Sequence, residues 1–70
     1  MHVDIQKLKG RIVEKGKTQQ IVAQECGMNR DTFTRKIKSK GESFSMGEVF
    51  QACESLGLTR EEAVEIFFAE

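Results

Sequence analysis

Seventy residues with eleven Lys or Arg and eleven Asp or Glu, at a net charge of zero, allow one domain, residues 1–70, whose small core supplies only about 3–5 kcal/mol of net stability. One histidine (His2), no Cys-x-x-Cys pair, no Ser/His/Asp set and no phosphate-cradling glycine loop exclude a metal site, a cofactor, a small-molecule substrate and an enzyme. No apolar run approaches a membrane span and the N-terminus lacks a signal-peptide core, so a cytoplasmic protein is expected, with Cys26 and Cys53 as small buried thiols.

In chain order, the first helix is predicted from an N-cap at about Asp4 to Glu14, with Ile5, Leu8 and Ile12 facing inward and Lys7, Lys9, Arg11 and Lys15 solvated. Gly10 inside it costs roughly 1 kcal/mol relative to alanine, and close approach of a neighbour is the one reason the sequence offers for it. Gly16 ends this helix. Thr18 caps a second helix, in which Val22, Ala23 and Cys26 share a face. Gly27 supplies the left-handed residue that closes it. Asn29 caps a third helix, with Met28 and Phe33 as a hydrophobic staple. That helix buries Phe33 and Ile37 and shows Arg30, Asp31, Thr34 and Arg35 elsewhere.

After a polar loop over residues 38–43, Ser45 and Glu48 form a capping box, with Phe44 stapled to Val49. Met46, Val49, Phe50, Cys53 and Leu56 are expected to face inward along this fourth helix, which Gly57 ends. Thr59 and Glu62 repeat the capping box for a fifth helix. Its residues Ala63, Ile66 and Phe67 should close the core. Val64 and Phe68 share a different face, and either the helix lies in a groove that buries both stripes or this pair meets a two-fold partner. The pattern is all-α, four to five helices without a strand.

Charge is unevenly placed. Residues 1–40 hold ten Lys or Arg against four acids, whereas residues 41–70 hold Arg60 against seven glutamates. A basic face can bind nucleic acid while an acidic rear cancels the net charge.

Gln19, Ala23, Gly27 and Phe33 stand in the order and register of the two-helix unit of the phage repressor and Cro-type (Xre-like) helix-turn-helix proteins, and the chain resembles that family across this stretch. Two departures are present. Lys36 stands where many members carry an apolar residue, a role Ile37 takes one position later, and Ile21 stands where the family is commonly polar. The resemblance implies a compact lambda-repressor-like bundle whose recognition helix, about residues 29–38, enters the DNA major groove. It also implies a phosphate contact for Gln19.

Helix geometry then assigns base contacts to Arg30, Asp31, Thr34 and Arg35. Arginine can donate a bidentate pair to guanine, and Thr34 can touch a thymine methyl or a phosphate. Asp31 either accepts from cytosine N4 or holds Arg35 one turn away, the second being favoured. Backbone contacts are expected from Thr18, Gln19, Lys36, Lys38 and Lys40, with Lys17 a weaker candidate. Val64 and Phe68 are the expected homodimer contact, formed at least on DNA. The function expected is a sequence-specific transcriptional regulator bound to a double-stranded DNA operator. The alternative is a protein-interaction module, an antitoxin or antirepressor that uses exposed Ile21 or Phe68.

Overall fold

Each helix begins at a side chain that accepts a hydrogen bond its first turn cannot satisfy internally. In the computed structural model, which describes residues 3–69, the elements are α1 (Ile5–Glu14), α2 (Gln19–Glu25), α3 (Arg30–Lys38), α4 (Met46–Leu56) and α5 (Arg60–Phe67). His2 and the acidic Glu70 lie outside the described residues. The Asp4 carboxylate accepts from the Lys7 backbone N–H at 3.1 Å, Thr18 from Ile21 at 3.2 Å, and Asn29 from Thr32 at 2.8 Å. Ser45 and Glu48, and then Thr59 and Glu62, form the two reciprocal capping boxes expected. No strand occurs among the described residues, and no helix there is long and apolar enough to cross a membrane.

Helix α2 packs against α3 and α4, while α1 packs against α5. Phe44, in the loop between α3 and α4, joins the two halves. Its ring meets Phe33 edge-on at 5.8 Å and Phe67 at 6.4 Å, offset geometries that suit aromatic quadrupoles. Leu8, Ile12, Val22, Val49, Leu56 and Ile66 fill the space around them. The chain entry is fastened too. The Asp4 N–H donates to the Ile66 carbonyl at 2.7 Å, and buried Val3 lies so close to Gly41 that any β-carbon there would overlap it.

Three expectations need correction. Met46 and Phe50 do not face the core: they are 63% and 65% exposed, and Ala52 joins Val49 and Leu56 inside. The cause is the pinning of one α4 flank, where Glu48 pairs with Lys36 and Ser55 meets Lys17, which turns the opposite flank to solvent. Gly10 is approached by nothing, since a β-carbon built on it has no neighbour within 4 Å. Finally, no groove covers Val64 and Phe68, which are 50% and 41% exposed while Ile66 and Phe67 are buried.

Candidate nucleic-acid interface

The α2–α3 unit owes its shape to the four residues between the helices. The Gly27 N–H donates to the Gln24 carbonyl and the Met28 N–H to the Ala23 carbonyl, each at 3.0 Å. These are the two bonds of a Schellman closure, and they need a left-handed residue between them; Gly27 supplies it with φ 77°. Asn29 then starts α3 at once. The first turns of α2 and α3 are thereby brought together, so that Thr18, Gln19, Gln20 and Arg30 line one open depression.

Along α3, Phe33 and Ile37 are buried, while Arg30, Asp31, Arg35 and Lys38 are exposed and Thr34 is half-buried. Arg35 Nη2 donates to the Thr32 hydroxyl at 3.4 Å. Among the described residues no ion pair joins Asp31 to Arg35, so the favoured buttress is replaced by a hydroxyl one turn back. A carboxylate at Asp31 stays free to accept.

The lysines divide sharply. Lys36 is turned inward, its side chain only 18% exposed. Its ammonium lies 3.1 Å from the Glu48 carboxylate, donates to the Ser43 carbonyl at 2.9 Å and stands 5.9 Å from the centre of the Phe44 ring. Lys17 is likewise engaged, donating to the Ser55 carbonyl at 2.6 Å and to Glu25 at 2.8 Å, with Glu25 also accepting from the Ser55 hydroxyl. Both lysines leave the expected phosphate-contacting group, because their charges are already balanced inside the fold. Lys38 and Lys40 are exposed and, among the described residues, make no ion pair.

The same sorting continues around the molecule. Arg11 bridges Glu14 at 3.0 Å and Glu62 at 3.2 Å, and Lys7 reaches Glu65 at 4.0 Å. Three carboxyls, Glu25, Glu48 and Glu62, sit below their ordinary range. Glu25 is lowered by the Lys17 and Ser55 hydrogen bonds, Glu48 first by the Ser45 backbone N–H and then by Lys36, and Glu62 first by the Thr59 backbone N–H and then by Arg11. Burial pushes the Cys26 thiol up to about 11, which suits a packing residue and not a nucleophile. Cys26 and Cys53 are both free thiols; Cys26 is buried as expected, while Cys53 is only half-buried at the edge of the core.

Two residues of the site were not singled out from sequence. Gln20 lines the depression beside Gln19, and its place in the first turn of α2 was the available signal. Thr32 holds Arg35, and its i,i+3 spacing could have suggested that.

No curated protein and no solved structure matches the chain. A family described as a protein of unknown function, DUF739, matches residues 1–70, which is the whole chain, and the protein belongs to that family.

Proposed function

We propose that this protein is a sequence-specific double-stranded DNA-binding regulator, with α2 and α3 as a helix-turn-helix unit of the lambda-repressor-like kind and α3 as its recognition helix. The observation that carries the reading is the depression shared by the two helix starts. It sets Thr18 and Gln19, suited to a phosphate, beside Arg30 on the exposed face that continues through Arg35 and Lys38. Arg30 and Arg35 read base edges in this proposal, Thr34 touches a thymine methyl or a phosphate, and Asp31 accepts from cytosine N4. Lys38 and Lys40 contact the DNA backbone. No enzymatic chemistry, cofactor or small-molecule substrate enters the reading. Selection of binding sites from a random duplex pool, followed by a salt titration, tests it: enrichment of one sequence and a steep loss of affinity with salt are expected, and no enrichment with salt-insensitive binding overturns it.

Val64 and Phe68 are proposed as the two-fold contact, because an exposed apolar pair one turn apart is covered most simply by the same pair on a second copy. Phe68→Glu should then give a monomer in sedimentation, with a larger affinity loss on two half-sites than on one. The competing reading is a protein-interaction module such as an antitoxin or antirepressor, and the exposed Ile21, Met46 and Phe50 favour it. Absence of salt-dependent duplex binding would move the function to that apolar surface.

A further inference from the structure

Helices α1, α2, α3 and α4 all end in the same pair of backbone bonds, and in three of them the left-handed residue is a glycine: Gly16, Gly27 and Gly57. The fourth uses Lys40, with φ 60°, the one non-glycine at positive φ among the described residues. A β-carbon is disfavoured there, so a lysine at this position stands against the backbone's own preference. It is followed by Gly41, whose N–H donates to the Lys36 carbonyl at 2.9 Å and where Val3 leaves no room for a β-carbon.

The turn carrying Lys40 is gathered onto a single residue. The Lys36 carbonyl accepts from both Gly41 N–H and the Ser39 hydroxyl, the latter at 2.8 Å. The Lys36 ammonium holds the far end through the Ser43 carbonyl, and Glu48 anchors that ammonium to α4. Ser39 and Ser43 close the circuit with a hydrogen bond at 3.2 Å. Lys38, at the end of α3, and Lys40, within this turn, are both exposed. Residue 36 therefore fixes both ends of the turn that follows α3, with one free cation, Lys38, on the last residue of the helix and the other, Lys40, in the turn itself.

We infer that Lys36 is a positioning residue: it latches the Ser39–Ser43 turn to α4 so that the backbone carrying Lys38, at the end of α3, and Lys40, in the turn, is set for these two cations to meet two phosphates of a duplex, without itself touching DNA. This rests on the DNA-binding reading above and adds the device that orders its phosphate contacts. Holding the backbone that carries the two cations in place before binding removes part of the ordering cost from association. A latch and a contact leave different marks. A contact lysine releases a counterion, worth about −0.9 in the log–log salt slope, and a latch releases none.

The test measures affinity for one selected duplex across a salt series, in the wild type and in Lys36→Met, Lys38→Ala and Lys40→Ala, at a temperature where circular dichroism shows each folded. Methionine keeps an unbranched stem over Phe44 and loses the ammonium. Expected is a roughly tenfold weaker Lys36→Met with the wild-type slope, while Lys38→Ala and Lys40→Ala each flatten the slope by about 0.9. A slope flattened by Lys36→Met makes Lys36 a contact and overturns the inference. Wild-type affinity in Lys36→Met, or unflattened slopes in the other two, overturns it as well. If Lys36→Met does not fold, Glu48→Gln carries the test, since glutamine preserves the capping box and removes the negative charge that anchors the ammonium. Weaker binding with an unchanged slope supports the latch; a steeper slope, from Lys36 swinging out to a phosphate, overturns it. Failure of the DNA reading itself is distinct, because the wild type would then show no salt-dependent duplex binding at all.

Discussion

Helices α3 and α4 lie on either side of the Lys36–Glu48 ion pair and have similar lengths, nine and eleven residues, yet they offer solvent opposite chemistry. Helix α3 buries both of its large apolar side chains, Phe33 and Ile37, and shows Arg30, Asp31, Arg35 and Lys38. Helix α4 holds more apolar residues than its inward face accepts, and Met46 and Phe50 are left outside. The difference teaches where charge and apolar area are free to act. On α3 the free groups include three cations beside a depression, with Asp31 among them, whereas α4 adds exposed apolar area at Met46 and Phe50, with Glu48 on its flank already paired and Glu54 exposed.

The largest effect expected from breaking this contrast lies beneath α3. Phe33 is fully buried, and Phe33→Ala should cost about 3–5 kcal/mol, comparable with the net stability of a domain this size. Urea titration followed by circular dichroism should find the variant largely unfolded. A folded variant would mean that the Phe33–Phe44–Phe67 cluster is not what holds α3 down.

Arg35→Ala removes a cation from the opposite side of the same helix. Specific duplex affinity should fall by about 1–3 kcal/mol with relaxed preference at one base pair per half-site, while the unfolding midpoint stays in place. Competition anisotropy with single-base variants reads this directly, and an unchanged ranking of sequences would sink the recognition-helix assignment.

Lys40→Gly sets stability against binding. Relief of the left-handed conformation should stabilise the fold by about 1 kcal/mol, and loss of the ammonium should still weaken duplex binding. A variant that gained neither stability nor lost affinity would remove Lys40 from the site.

Protonation sharpens the contrast at the joint between the helices. Glu25, Glu48 and Glu62 have lowered carboxyl pKa values, so the unfolded chain takes up protons first as pH falls. Their contribution is present above the ordinary carboxylate pKa and is lost as pH drops through that range. Cys26 acts with the opposite sign: its raised value means stability is held below pH 9 and declines as pH climbs towards about 11. Unfolding midpoints measured from pH 3 to pH 11 should trace a plateau with both ends falling, and a flat acid limb would mean that none of the three carboxylates contributes.

The smallest effect belongs to α4. Phe50→Ser should shift stability by no more than about 0.5 kcal/mol, because the ring is already in water. A loss as large as that of Phe33→Ala would show that Phe50 is covered in solution, and sedimentation of the variant would tell whether a second copy covers it.

The five helix starts were legible because capping is local chemistry. Asp4, Thr18, Asn29, Ser45 and Thr59 each accept a hydrogen bond from a backbone N–H three residues on, whatever the rest of the chain does. The orientation of α3 was legible for a related reason: Phe33 and Ile37 are its only large apolar residues, so one rotation buries them. On α4 the apolar arc is wide, and several rotations satisfy it equally well. Only the tertiary structure chose among them, through Lys36–Glu48 and Lys17–Ser55 on one flank. The same long-range partners decided which lysines remain free. Lys17 and Lys36 look like Lys38 and Lys40 in the sequence, but an ammonium on a flexible stem goes to whichever carboxylate or carbonyl the fold brings within reach.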